Sequence, residues 1–210
     1  MCGVIGVKIH NVEEADLTLI RNLFKETRIR GKHATGVTFL KQGKLHTIKE
    51  PIPADDFIAK HNPADWVDSD NVLTFIAHAR YSTSDLRYNQ PIADDELSVV
   101  HNGVISQESP DSWSSLYGIE CETKNDSELL FHTLKNGESP DYWQDASIST
   151  IWLTDDGSLQ YSRNGKRPLW IFEDQRSLVL TSTKDIAKRA GIIYGTRRVD
   201  YEGRDLQPIL

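Results

Sequence analysis

Apolar positions along this chain fall into short runs of two different periods. Val4 to Ile9, Val72 to Ala79 and Leu97 to Val100 are nearly unbroken apolar runs, the pattern of strands covered on both faces. Leu17, Ile20, Leu23 and Phe24 recur at helical spacing within Glu13 to Arg30, and Gly31 ends that segment. Gly31 to Gly36 is a connection of small residues, followed by strands at Val37 to Leu40 and Leu45 to Lys49 that turn at Gln42-Gly43. Pro51 to Asp70 is polar and predicts a short surface helix, and Tyr81 to Asp95 a loop.

A second helix is expected over Asn125 to Asn136, with Asp126 in its first turn and Gly137 closing it. The last third alternates strands with turns: Ile148 to Thr154, Asp155-Asp156-Gly157, Ser158 to Arg163, Asn164-Gly165, Leu169 to Phe172 and Ser177 to Ser182. Lys184 to Ala190 predicts a short closing helix, and the tail from Gly191 to Leu210 a final strand or a docking segment. Many strands with few helices, no repeats and no linker imply one α+β domain over residues 1–210.

Composition narrows the class. The 210 residues carry 38% hydrophobic and 26% charged side chains, as a soluble globular chain does. No apolar run is long enough to span a bilayer. The opening MCGVIGVKIH lacks the charged and apolar regions of a secretory signal. A net charge of −7 without a basic stripe argues against nucleic-acid binding. Cys2 and Cys121 form no disulfide framework, so reduced thiols in the cytoplasm are expected. The spacing of His and Cys residues does not suggest a zinc site, and Cys121 reads as an incidental thiol in an acidic stretch. His78 and His101 read as strand-packing histidines, and the glycines at 31 and 36 are not followed by the Lys-Ser/Thr of a phosphate loop.

Cys2 is the residue with most chemical potential. Removal of Met1 would put a thiol and a free α-amine on one residue, and the amine could then activate the thiol; a buried small residue is the plainer reading. Asn102-Gly103 in VVHNGVI offers an amide and a backbone N–H for an oxyanion, or a hairpin turn. Arg80 at the end of FIAHARYST suits a carboxylate, or a structural ion pair. Asp126 in TKNDSELL suits an ammonium group, or a helix start.

Taken in order, MCGVIG, RGKHATG, AHARYST, HNGVI and TKNDSELL resemble the glutaminase domain of class II glutamine amidotransferases. These are N-terminal nucleophile enzymes whose domain is carried by glucosamine-6-phosphate synthase, amidophosphoribosyltransferase and asparagine synthetase. SRNGKRPLW and LVLTSTKDIAK resemble later segments, so the likeness runs from Cys2 to about Ala190.

The resemblance implies a four-layer αββα sandwich and hydrolysis of L-glutamine through a thioester on Cys2, with no metal or cofactor. It makes Asn102 and Gly103 the oxyanion hole, Arg80 with Thr83 the carboxylate site, Asp126 the ammonium site, and Arg30-Gly31 a support. Tyr81 stands where several members have tryptophan, and Ser84 where some have histidine. The chain leaves no room for a synthase domain, so ammonia is expected to pass to a separate synthase subunit. Two other readings are an amidohydrolase for a different amide and a non-catalytic glutamine-binding regulatory subunit.

Overall fold

The computed structural model describes residues 2–81, 89–193 and 197–198. The first sheet has seven strands in the order β11-β9-β10-β1-β4-β2-β3. They are β1 (Gly3–His10), β2 (Ala34–Lys41), β3 (Lys44–Glu50), β4 (Val72–Arg80), β9 (Trp170–Glu173), β10 (Ser177–Thr181) and β11 (Arg197–Arg198). The second sheet has order β5-β6-β7-β8, from Ile92–Ala93, Leu97–His101, Ser149–Thr154 and Leu159–Arg163. The named neighbours pair antiparallel. The described residues also form five α-helices: α1 (Glu14–Thr27), α2 (Ala54–Lys60), α3 (Trp113–Tyr117), α4 (Ser127–Lys135) and α5 (Lys184–Ala190).

Strand alternation explains why the sequence shows unbroken apolar runs. In β1, Ile5, Val7 and Ile9 pack against α1, α2 and α5, while Val4 enters the layer between the sheets. In β4, Phe75 and Ala77 face the helices and Ile76 faces the second sheet. In β7, Ile151 and Leu153 fill the interlayer while Trp152 packs with Leu129 and Leu130 of α4. Both faces of both sheets are thus covered, and the layers run helix, sheet, sheet, helix: an α+β sandwich of the αββα kind expected from the resemblance.

Several boundaries differ from the sequence reading. Gly36 is not part of a connection but lies inside β2, where a Cβ would come 2.2 Å from the Gln90 carbonyl oxygen; glycine serves a close approach there. Pro51 to Asp70 holds more than a surface helix. Its Trp66 is 2% exposed and packs with Phe24, Phe39 and Phe75. The 81–95 loop contains β5, and α3 arises in a stretch with no clear periodicity. The tail contributes β11, which pairs with β9 at the sheet edge.

The turn at Gln42-Gly43 has φ of 54° and 67°, so the expected hairpin forms there. Helix α1 is fixed at its start by a capping box between Glu13 and Asp16, and Arg176 grips both Asp16 oxygens at 2.7 and 3.0 Å.

Candidate active site

Cys2, Arg80 and Asn102 lie toward one end of the sandwich. Gly3 pairs with Ala79 and Ala34 with Arg80, so the start of β1, the end of β4 and the start of β2 lie side by side. On the facing sheet His101 pairs with Thr150, placing the end of β6 beside the start of β7. The sheets are tied across the interlayer by Ser98 Oγ donating to Thr38 Oγ1 at 2.8 Å. Cys2, His78 and Arg80 are in phase with Val4 and Ile76, which face the second sheet; Asn102 is in phase with Val100, which faces the first.

Cys2 is half-buried and its thiol is free. Arg30 Nε donates to the Cys2 carbonyl at 3.4 Å, so the turn ending α1 touches the chain beside the thiol. Two glycines make that packing possible. A Cβ on Gly3 would lie 2.5 Å from Thr27 Cγ2, and one on Gly31 would lie 2.3 Å from the Ala79 carbonyl oxygen. Burial lowers the affinity of the Arg30 guanidinium for its proton; the nearby Cys2 raises it and Arg167 lowers it. Arg30 is therefore within electrostatic reach of both.

Asn102-Gly103 is not a hairpin turn. The segment runs on beside residues 147–149, with Asn102 N–H donating to Ser149 O at 2.8 Å and Val104 N–H to Ser147 O at 3.0 Å. A Cβ on Gly103 would sit 1.7 Å from the Ser147 oxygen, so this close passage admits only glycine. Asn102 is 2% exposed, and its Nδ2 has no hydrogen-bond partner among the described residues. A buried donor left unpaired costs about 1–3 kcal/mol, which makes it a candidate for a bond to a ligand.

Asp126 precedes α4, but its side chain does not cap the helix. It reaches instead to the segment after Gly103, where Oδ2 accepts from Ile105 N–H at 2.6 Å and Ser106 N–H at 3.4 Å. Among the described residues Oδ1 accepts no hydrogen bond. Arg80 ends β4 at 8% exposure. Tyr81 follows it, exposed, with its ring 5.0 Å from that of His33. Thr83 and Ser84 lie outside the described residues.

The sequence reading missed the supports behind these groups. His101 is a linking residue and not mere strand packing. Its Nε2–H donates to Ser147 O and its Nδ1 accepts from Ser127 Oγ, both at 3.1 Å. Ser127 Oγ accepts from Gln90 Nε2 at 2.9 Å, and Gln90 Oε1 accepts from the His101 N–H at 2.6 Å. This chain has one consistent proton order, with His101 neutral and its proton on Nε2. Burial lowers the His101 pKa despite the opposing pull of Asp126. The loop thus ties the Asn102 strand to the head of α4, where Asp126 sits.

His78 is also fully buried, and burial with the charges of Arg80 and His101 pulls it down to about 3. Asn89 lies near enough to His78 to act on its titration. Yet among the described residues neither side chain has a hydrogen-bond partner of good geometry. On the neighbouring strand end, Arg163 holds the carbonyls of Gly165 and Arg167 at 2.9 and 2.7 Å, shaping the NGKRP loop. The spacing of His101, Gln90 and Ser127 carried no signal, because only the fold brings three separate segments together.

No protein-family model and no curated protein matches this sequence. Solved structures do. Glutamine phosphoribosylpyrophosphate amidotransferase from B. subtilis, in complex with ADP and GMP, superposes with a TM-score of 0.72 at 21% identity over 95% of this chain. A structure described as the allosteric regulatory enzyme of purine biosynthesis gives 0.70 at 20% identity, again over 95%. This chain covers 45% of each of those chains, so it spans less than half their length. At such identities the likeness establishes a shared fold and no more.

Proposed function

We propose that this chain is a glutaminase of the class II amidotransferase type, hydrolysing L-glutamine to glutamate and ammonia with Cys2 as nucleophile. The observation that carries the reading is the unpartnered, buried Asn102 Nδ2, on the same interlayer end as Cys2 and Arg80. The shared fold and the motif order support it.

In this reading, loss of Met1 frees the Cys2 amine. The amine takes the thiol proton as Sγ attacks the glutamine γ-carbonyl carbon. Negative charge gathers on the amide oxygen, which Asn102 Nδ2 and the Gly103 N–H receive. Collapse of the adduct breaks the C–N bond, and ammonia leaves with the proton held by the amine. Water, deprotonated by the same amine, then cleaves the γ-glutamyl thioester and restores the thiol.

Arg80 would hold the α-carboxylate through its planar fork, assisted by Thr83, and Asp126 Oδ1 would accept from the α-ammonium. Arg30 and Gly31 support the strand end without reacting. Ammonia would pass to a synthase partner, and the free thiols Cys2 and Cys121 suit the reducing cytoplasm. No helix among the described residues is long and apolar enough to cross a membrane.

The test is steady-state glutamate release from L-glutamine by the wild type and by Cys2→Ala. Release should stop in the variant while glutamine still binds, as measured by calorimetry. Wild type that binds glutamine without turnover, alone or with co-purifying proteins, would favour a regulatory subunit. Turnover of other amides in preference to glutamine would favour a different amidohydrolase.

A further inference from the structure

Away from the amide chemistry, two side chains of α4 meet one from the loop just before it. Cys121 Sγ, a Glu128 carboxylate oxygen and a His132 ring nitrogen all lie within 4.8 Å of one another. Glu128 and His132 stand one turn apart on α4, with Nε2 3.7 Å from Oε1, and Cys121 comes from the loop before the helix. Thiol, carboxylate and imidazole form a donor set suited to a borderline-soft divalent ion, and zinc above all. His and Cys spacing alone could not reveal it, because the third donor is a carboxylate.

We propose that Cys121, Glu128 and His132 form a zinc-binding site, with water in the fourth position, that clips the loop around residue 121 to α4. The carboxylate is already oriented as a metal ligand needs to be. Its Oε1 accepts from Glu122 N–H at 2.7 Å, and its Oε2 from Thr123 N–H at 2.7 Å and Thr123 Oγ1 at 2.5 Å. Each oxygen keeps lone-pair capacity, Oε1 more than Oε2. Glu128 is buried while His132 is a third exposed and Cys121 half-buried, which leaves an entry path from solvent.

Tetrahedral coordination places such ligand atoms roughly 3.3–3.6 Å apart, so closing the site asks for a shift of about 1 Å. Rotation of the Cys121 and His132 side chains can supply it. Cys121 is pushed up to about 12 by burial and by the charges of Glu128 and Glu120. A dication reverses that electrostatic cause. On binding, the Cys121 S–H bond breaks, its proton goes to buffer and the thiolate coordinates the metal, with no change of oxidation state. Thiolate and carboxylate then balance the charge of the ion. The clipped helix begins at Ser127, directly after Asp126.

Cobalt(II), a spectroscopic stand-in for zinc, tests the site, in a Cys2→Ala background so that the terminal thiol, and its chelate with the terminal amine, cannot compete. That background also separates this test from the glutaminase reading, since every arm lacks the nucleophile. One equivalent should bind, giving thiolate-to-cobalt charge-transfer absorption in the near ultraviolet. One proton should be released, and zinc should bleach the band and raise Tm. Cys121→Ser should abolish the band, and His132→Gln should weaken binding by about tenfold or more. Both variants leave Glu128 bound to its loop, so both should fold. Absence of a band in the parent chain, or a band that survives Cys121→Ser, overturns the proposal.

Discussion

Asn102→Ala should separate catalysis from stability. The side chain is 2% exposed, and its Nδ2 is without a partner among the described residues. As an oxyanion donor it acts only once charge develops on the substrate, and loss of one such donor typically lowers kcat by about 10²–10³, or about 2.7–4 kcal/mol. KM should change little, because the ground-state amide oxygen gains less from the contact. Folding should hardly notice. Truncation removes an orphaned donor whose burial costs about 1–3 kcal/mol, and it leaves a void of a few atoms that costs a similar amount.

The backbone bond from Asn102 N–H to Ser149 O is retained. The unfolding free energy is therefore expected to stay within about 1 kcal/mol of wild type. Glutamate release gives kcat and KM, and urea denaturation gives stability. A variant that loses several kcal/mol of stability yet keeps its kcat would refute the assignment, making Asn102 a structural residue.

Arg80→Lys keeps the charge but loses the planar fork, so KM for glutamine should rise at least tenfold with a smaller change in kcat; an effect confined to kcat would reverse the roles. Stability should fall on acidification. His78 is held down to about 3 by burial and by the charges of Arg80 and His101, so the unfolded chain, with its histidine near 6.5, takes up a proton that the native chain refuses. That contribution is complete above about pH 6.5 and is lost as the pH falls toward 3, by up to about 1.4 kcal/mol per pH unit. His101, also lowered, acts in the same direction. His78→Gln should flatten the acid limb of a urea-denaturation series, and an unchanged limb would contradict the cause given.

What could be read from the sequence follows from where its residues face. β1, β4, β6 and β7 are apolar on both sides, so their runs stood out, and the ends of those runs carried Arg80 and Asn102 into view. Lys184–Ala190 matched α5 end to end. Gly36 misled because glycine marks both turns and close approaches, and here the Gln90 backbone passes over a strand. Trp66 was hidden in a polar, proline-punctuated stretch, since one buried aromatic leaves no period.

Asp126 was visible as a helix-start residue, but its hold on the amides of Ile105 and Ser106 depends on the fold. The same is true of the Gln90–Ser127–His101 chain. Partners brought from distant segments leave no spacing to find.

The most direct test of Cys2 as an N-terminal nucleophile is mass spectrometry of the active protein before and after treatment with a glutamine-like diazoketone. The untreated chain should lack Met1, and treatment should add one label, on Cys2. Cys121, whose thiol is pushed up to about 12, has almost no thiolate at neutral pH and should stay unmodified. Labelling that falls mainly on Cys121, or full activity with Met1 still attached, would contradict the N-terminal nucleophile.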